Sequence, residues 1–456
     1  MGYKEKIYDH SPIFFQNFMA SVLGYIQNRD RYGCVYHDYM DFLTEFDKLS
    51  LEKKKEYQFA KFKEFALFAK ENSKFYKELY KDVDISGFKD FEDIKQLPFV
   101  DKEMLRQNMD DVFTIPQKGS VAGFTGGTTG KPLIVRFTKS DFAIRMASLD
   151  HFKLQTGFAN NKMKRATFNC KNIVPVGQKS KVFWRYNRPA KQMIYSTFDL
   201  SEENMKYYVE SLNRFKPDSM DGFFMAMCDI AGYVERHNIE LKFKPIALYP
   251  TCETITESGR NLLERVFKCM VYNQYASSEG APFVTECICG RLHMNMDSGY
   301  IEEIDPLTHE VAVTSFTTHG TPIIRYKIGD CMKISEDTVC ECGQETVLID
   351  SIEGRKTAFI YASSGAKITE SNISSMLKHI PQSIIQAQVV QNRIGEVELY
   401  MVIDKNKYVK EYEKLIYDEF YIRFGTDSVL NIHYVDSIPR ASSGKFRLVV
   451  NNVDKG

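Results

Sequence analysis

The 456-residue sequence has a single tryptophan and no apolar run near the ~20 residues that a membrane helix requires. That shortage leads to the expectation of no membrane insertion. An excess of either charge is also missing, since Lys+Arg and Asp+Glu number 60 each. A balanced chain has no basic footprint for nucleic acid and no acidic tail, so no nucleic-acid partner is expected. The N-terminal run MGYKEKIYDHSPIFFQNF breaks its apolar residues with Asp, His, Gln and Asn, which makes a poor signal peptide. Lys6 stands where a myristoylation signal needs Ser or Thr. Cysteine is too sparse for a disulfide scaffold: there are ten, four of them in C-x-C pairs, a usage that suits a reducing compartment and metal binding. No internal repeat, low-complexity tract or heptad array is present. These absences point to a cytoplasmic globular protein, monomeric or homodimeric.

What is present is a core-forming composition, 43% hydrophobic, long enough for two or more domains. Residues 50–82 carry Tyr57, Phe59, Phe62, Phe65, Ala66 and Phe68 at helical spacing, which predicts one long amphipathic helix with its aromatic stripe in the core. From about 118 to 350, β-rich runs such as KPLIVRFT, KQMIYSTFDL and DSMDGFF alternate with helical patterns such as SEENMKYYVESLNRF, an α/β arrangement. After Gly354 the texture changes. SIIQAQVVQ and EVELYMVID read as a strand pair, KEYEKLIYDEFYIRFG as a helix and DSVLNIHYVDSI as a strand. The expected division is residues 1–353, with a helical extension over about 1–115, and a small α+β domain over 354–456, the boundary lying at Ile352–Lys356.

The stretch GFTGGTTGKPLIVRFT (Gly123–Thr138) has the look of a phosphate loop. A Walker loop needs G-x-x-x-x-G-K-[ST] ahead of a helix. Here Thr125 replaces the first glycine, Pro132 follows Lys131, and PLIVRFT is strand-like. What survives is a loop of unhindered amides at Gly126, Gly127 and Gly130, hydroxyls at Thr125, Thr128 and Thr129, and the mobile charge of Lys131. Taken alone, it reads equally well as a Gly/Thr hairpin loop.

Four further stretches follow in order: NQYASSEG (Asn273–Gly280), PIIRYKIGD (Pro322–Asp330), IEGRKTAFI (Ile352–Ile360) and IPRASSGKFRLV (Ile438–Val449). Their order and spacing resemble the adenylate-forming superfamily of acyl-CoA synthetases, luciferases and adenylation domains. The likeness is greatest to the phenylacetate–CoA ligase-like branch and the CapK-like proteins of polysaccharide biosynthesis, and it covers nearly the whole chain. It implies a large multi-sheet adenylation domain and a small mobile C-terminal domain. It implies an enzyme that joins a carboxylic acid to ATP as acyl-AMP, releases pyrophosphate and passes the acyl group to an acceptor.

On that resemblance, residues 125–131 hold the β- and γ-phosphates and Glu279 binds Mg²⁺, a hard cation that takes carboxylate and phosphate oxygens. Ser278 lies close to the α-phosphate and the substrate carboxylate, while Asn273, Gln274 and Tyr275 pack against adenine. Asp330 accepts from the ribose hydroxyls, Arg355 reaches ribose or phosphates from the domain junction, and Lys445 bridges carboxylate and α-phosphate. The usual hinge is Gly-Arg-x-Asp-Asp; this chain has Gly354-Arg355-Lys356-Thr357-Ala358 and lacks both acids. CoA is the first-choice acceptor. An amine, as in joining an amino acid to a sugar uronate of a capsule, is the second, and a protein thiol or a non-catalytic nucleotide binder are the rivals. The acyl pocket should be bordered by Trp184–Asn187, Asp221–Phe224 and Thr251–Glu253, where Arg185, Arg188 and Asp221 hint at a polar acid. Lys164-Arg165 and Lys179–Arg188 are the candidate cations for the CoA 3′-phosphate.

A second constellation is independent of the nucleotide motifs. ECICGRLHMN offers Cys287, Cys289 and His293, and VCECGQ offers Cys340 and Cys342. Thiolates and imidazole suit tetrahedral Zn²⁺. Cys287, His293, Cys340 and Cys342 are the expected ligands, Cys289 the spare, and Gly290 and Gly343 the knuckle glycines. Four protein ligands leave no open position, so the zinc would be structural.

Overall fold

The computed structural model describes residues 7–124, 133–169, 173–175, 178–355, 359–369, 373, 376, 383–441 and 446–453. Helices α1 (Ile13–Arg31), α2 (Cys34–Phe46) and α3 (Leu51–Asn72) precede the sheets. The stripe of α3 is core as its spacing predicts, with Phe62, Phe65, Ala66 and Ala69 buried in the first apolar cluster. The single helix expected over 50–82 is divided, however. Ser73 leaves helical geometry at φ −110°, ψ 124°, and its hydroxyl accepts from Tyr76 N to open a separate helix, Lys74–Leu79. A serine that offers the backbone this alternative ends one helix and caps the next.

Strands β1 (Val121–Phe124) and β2 (Ile134–Phe137) form an antiparallel pair. Thr138 and Asp141 then cap one another and open α4 (Lys139–Gln155). The segment between β1 and β2 thus joins two antiparallel strands, unlike a Walker loop. A six-stranded sheet runs in the order β4 (Trp184–Asn187), β5 (Gln192–Ser196), β3 (Arg165–Asn169), β6 (Ser219–Phe223), β7 (Ala247–Thr251) and β8 (Met270–Val271). All its pairings are parallel except β4–β5 at one edge. Helices α5 (Glu202–Phe215), α6 (Phe224–Arg236) and α7 (Glu257–Phe267) alternate with its later strands and bury a second cluster around Phe168, Tyr208, Met220 and Leu248.

A seven-stranded antiparallel sheet follows, in the order β12 (Gly299–Asp305), β13 (Glu310–Ser315), β14 (Ile323–Ile334), β15 (Leu348–Arg355), β11 (Leu292–Met294), β10 (Val284–Glu286) and β9 (Gln274–Tyr275). The C-terminal part holds the pair β16 (Phe359–Tyr361) and β17 (Lys367–Thr369) and a sheet ordered β20 (Val429–Tyr434), β19 (Glu396–Ile403), β18 (Ile384–Arg393) and β21 (Val449–Asn451). Helix α8 (Tyr412–Phe424) packs on it, and the third cluster draws its members from Ile360 to Val449. The hinge residues Lys356, Thr357 and Ala358 lie outside the described residues. Among those described, no helix is long and apolar enough to cross a membrane.

Candidate active site and a cysteine–histidine cluster

β9 and β14 are separated by three strands in the pairing order, yet Tyr275 Oη donates to Asp330 Oδ2 at 2.7 Å. Neighbouring strands lie ~4.8 Å apart, so the bond requires the sheet to coil until its edge meets β14. Gly329, inside β14, adopts φ 78° just before Asp330. Asn273 N donates to Glu286 Oε2 at 2.6 Å, and Arg260 clamps the same carboxylate at 3.0 and 2.7 Å. Gln274 is buried and gives its amide to Tyr249 O at 3.1 Å, tying β9 to β7 and thereby one large sheet to the other.

After β9 the chain makes a tight turn. Ala281 N donates to Ser277 Oγ at 3.1 Å, Gly280 N donates to Ser277 O at 3.2 Å, and Gly280 adopts φ 93°. A β-carbon on Gly280 would come within 2.7 Å of the Phe137 ring. This turn leaves Ser278 exposed and buries Glu279. Arg145 of α4 fixes it from beneath, donating from Nη1 to Gly280 O at 2.7 Å, Ala281 O at 3.1 Å and Thr317 Oγ1 at 3.1 Å. Burial draws the Arg145 pKa down to about 10, so the guanidinium stays charged at neutral pH. Sequence reasoning missed Arg145; the signal was an arginine between the buried Ala143 and Ala147 on the inward face of α4.

The β1–β2 hairpin touches the same turn: a β-carbon on Gly123 would sit 2.9 Å from Ser278 O. Thr125, Gly126, Gly127, Thr128, Thr129, Gly130 and Lys131 lie outside the described residues, as does Lys445, and of Arg355 only the backbone, paired with Asp330, is described. The structure therefore brings Tyr275 to Asp330 and the hairpin to Ser278.

Glu253, expected at the border of the acyl pocket, lies two positions past β7 and meets the C-terminal part instead. Its carboxylate accepts from Met225 N at the start of α6 at 2.9 Å and from Phe446 N at 3.0 Å. Phe446 follows Lys445 in the chain. Close by in sequence, Asp229 of α6 accepts from Arg440 Nη2 at 2.5 Å and Gln386 Nε2 at 3.1 Å. Burial raises the Asp229 pKa and Arg440 offsets part of the rise. Two acidic side chains of the α6 region thus clamp the C-terminal part on either side of Ser442–Lys445.

The charges expected to color the acyl pocket do other work. Arg185 is fully buried and donates to Gln16 Oε1 at 2.6 Å, Gln178 Oε1 at 2.5 Å and Trp184 O at 2.7 Å, clasping α1 to edge strand β4. Asp221 pairs with Lys153 at 3.2 Å and Arg165 at 3.3 Å; burial raises its pKa, and those two cations more than offset the rise. The register joins Phe223 to Thr251, but Trp184–Asn187 lies at the far edge of the sheet. The hint of a polar acid drawn from Arg185 and Asp221 is therefore withdrawn. Arg165 is spent on Asp221, and Lys164 donates to Phe215 O at 3.2 Å, so that pair is not a ready CoA-phosphate site.

The cysteine–histidine expectation meets a matching geometry. One ligand atom each from Cys287, His293, Cys340 and Cys342 lies within 4.8 Å of every other. Cys287 Sγ and Cys340 Sγ are 3.6 Å apart, as are Cys342 Sγ and His293 Nε2. Two sulfurs held at ~2.3 Å by one tetrahedral ion stand about 3.8 Å apart, whereas a disulfide needs ~2.05 Å. Thr346 Oγ1 lies 2.7 Å from His293 Nδ1; with that nitrogen donating, the Nε2 lone pair faces the sulfurs. Burial, then Lys54 and Arg291, lowers the His293 pKa to about 4, so the imidazole is neutral, the form that can ligate a metal. Gly290 at φ 78° and Gly343 at φ 83° close the two turns, each donating its N–H to the carbonyl of Cys287 or Cys340. Cys289 is exposed and its side chain is outside the set.

Two large sheets joined through Gln274, a hairpin set against the Ser278 turn and a C-terminal sheet clamped to α6 define an adenylate-forming ligase fold. Its likeness extends to 2-hydroxyisobutyryl-CoA ligase in the postadenylation state, with a TM-score of 0.73 at 15% identity over 89% of this chain and 91% of that one. The family model of the CapK C-terminal domain matches residues 360–452. Protein CapK of Staphylococcus aureus is 39% identical over 98% of this chain and 99% of that protein. The chain belongs to the CapK family. Phenylacetate-coenzyme A ligase of Thermus thermophilus is 24% identical over 83% of this chain and 88% of that protein, in keeping with the branch that the five motifs indicated.

Proposed function

We propose that the protein activates a carboxylic acid with ATP and transfers the acyl group to the thiol of CoA. In the first step a substrate carboxylate oxygen attacks the α-phosphorus, an O–P bond forms, and the bond to pyrophosphate breaks. In the second, the thiol sulfur attacks the acyl carbon, the bond to AMP breaks, and the thiol proton is released. Both steps bring anions together, so positioning and charge neutralization carry the catalysis.

The single observation that carries this reading is the Tyr275–Asp330 hydrogen bond, which brings together two motifs 55 positions apart in sequence. Asp330 takes the ribose hydroxyls, Tyr275 the adenine face, Ser278 the reacting carboxylate and residues Thr125–Lys131 the phosphates. Glu279, a buried carboxylate beside the exposed Ser278, would hold Mg²⁺, which neutralizes phosphate charge when bound. The bonds of Glu253 to Phe446 N and of Asp229 to Arg440 support a docked arrangement in which Lys445 serves acyl-AMP formation. Cys287, His293, Cys340 and Cys342 would hold a structural zinc ion.

A second reading makes the acceptor an amine, joining an amino acid to a sugar uronate in capsule or O-antigen biosynthesis; the full-length 39% identity to Protein CapK supports that setting without distinguishing the acceptor. The test is carboxylate-dependent pyrophosphate release over aryl acids, amino acids and sugar uronates, with and without CoA. Turnover of one acid that needs CoA establishes the thioester reaction. Turnover that needs an amine instead moves the protein to amide formation, and release with no acid at all removes the activity.

A further inference from the structure

Helix α1 is amphipathic in the wrong sense for a helix packed on a protein body. Its inward face is polar or small. Gln16 accepts from Arg185 Nε at 2.6 Å, Asn17 Oδ1 from Tyr186 N at 2.9 Å, and Ser21 Oγ from Arg188 N at 3.1 Å. Gly24 lies so close to β4 that a β-carbon would fall 2.0 Å from Asn187 Oδ1. The opposite face carries Phe14, Phe15, Phe18, Val22, Tyr25 and Ile26, all exposed; Phe14 is 73%, Phe18 59% and Tyr25 65% accessible. At 100° per residue these six fall within about a third of the helix circumference.

With 150–250 Å² per aromatic side chain, the exposed stripe amounts to roughly 600 Å². That is the upper end of patches on single-chain proteins and most of the ~800 Å² per partner in a standard interface. No Asp, Glu, Lys or Arg occurs from Ser11 to Asn28, matching the charge depletion and aromatic enrichment of interface centers. A bilayer-bound helix instead shows a basic polar face. Here the polar face is spent on β4, Arg31 lies over the Phe142 ring at 5.0 Å, and Asp30 pairs with Lys139 at 3.3 Å.

We propose that a second copy of the chain covers this stripe, with the two α1 helices antiparallel about a two-fold axis near Ala20. Phe14 and Phe15 of one copy then meet Ile26 and Tyr25 of the other, and Phe18 meets Val22. The antiparallel sense follows from charge. A parallel pair would oppose the two exposed Arg29 side chains, whereas the antiparallel pair carries each Arg29 to the end that holds Asp9. This is independent of the reaction proposed above.

The test is light scattering and sedimentation of the full chain at micromolar concentration, for wild type, Phe18→Glu/Tyr25→Glu and, as a control on another exposed apolar residue, Leu307→Glu. The expected result is a dimer for wild type and Leu307→Glu, and a dissociation constant raised roughly a hundredfold or more in the double variant, which keeps the wild-type far-UV circular dichroism and a cooperative melt. If the double variant misfolds, Phe14→Asp at the rim takes its place and should weaken the dimer about tenfold. A monomeric wild type, or a dimer indifferent to both changes, overturns the proposal. So does co-sedimentation of monomeric wild type with phosphatidylcholine–phosphatidylglycerol vesicles that the double variant loses, which would give the stripe to lipid.

Discussion

The Cys287–His293–Cys340–Cys342 cluster and the Tyr275–Asp330 site both belong to the seven-stranded sheet, and they are assembled differently. The cluster rests on two glycine-closed turns, at Gly290 and Gly343, on strands β10, β11 and β15 that pair directly. Its donors come from two short turns about 50 positions apart in sequence, Cys287–His293 and Cys340–Cys342, which the direct pairing of β11 with β15 sets side by side. The Tyr275–Asp330 site instead joins strands three apart in the pairing order, borrows the β1–β2 hairpin, and takes its clamp from Arg440 and Phe446, more than 190 positions from their partners. A site of the first kind should act on stability and leave turnover alone. A site of the second kind should act on turnover through contacts that contribute little to the core.

Substitutions can break that contrast. The largest effect is expected for Lys445→Ala: acyl-AMP formation falls roughly a thousandfold or more, while transfer from synthetic acyl-adenylate is spared. Separate assays of the half-reactions check it, and joint loss of both would remove the assigned role. Asp330→Ala should weaken ATP binding by about ten- to a hundredfold in calorimetry, with an unaltered melting temperature; unchanged affinity takes Asp330 out of the ribose site. Arg440→Ala should slow acyl-AMP formation about tenfold and leave transfer alone, because it loosens the clamp at Asp229. On the other side of the contrast, Cys340→Ser should lower bound zinc and depress the melting temperature by roughly 5 °C or more, with exchange activity per folded molecule within about twofold. Full metal retention would refute the four-ligand set.

A last effect, confined to stability and its pH dependence, concerns Asp297, whose pKa burial lifts to about 6 while Tyr39 Oη donates to it at 2.9 Å. A carboxyl group with a raised folded-state pKa contributes its stability below its ordinary value near 4 and loses it as pH rises through 6. Asp297→Asn should therefore flatten the stability profile between pH 4 and 6, a change of up to about 3 kcal/mol in denaturant titrations. A profile parallel to wild type would show that Asp297 is not the titrating group.

Much of this was legible in the sequence. The five ordered motifs gave the fold and branch, and the C-x-C and C-x₅-H spacings gave all four members of the cluster, because turn chemistry is local. The strand pair β18–β19, helix α8 and strand β20 were legible from their periodicity. The division of helix 50–82 at Ser73 was hidden, since its cause is a cap and a bond to Asp111 O, 38 residues on. Arg185 and Asp221 misled for a related reason: position in sequence suggested a pocket, but buried partners at Gln16, Lys153 and Arg165 consume their charge. Arg145 and Asp229 went unread, and Glu253 was read only as a pocket border, because their partners are backbone groups or residues more than 130 positions away. The inverted polarity of α1 likewise emerges only once β4 shows which face is inside.

The central claim, that the residues around Tyr275 and Asp330 bind the nucleotide on which a carboxylate is activated, is tested most directly by ATP–pyrophosphate exchange. The measurement compares wild type with Asp330→Ala for an acid that supports pyrophosphate release. The account predicts acid-dependent exchange in wild type and a fall of at least about tenfold in Asp330→Ala at limiting ATP. Equal exchange in the two proteins, or none in wild type with any carboxylate although ATP binds, would contradict it.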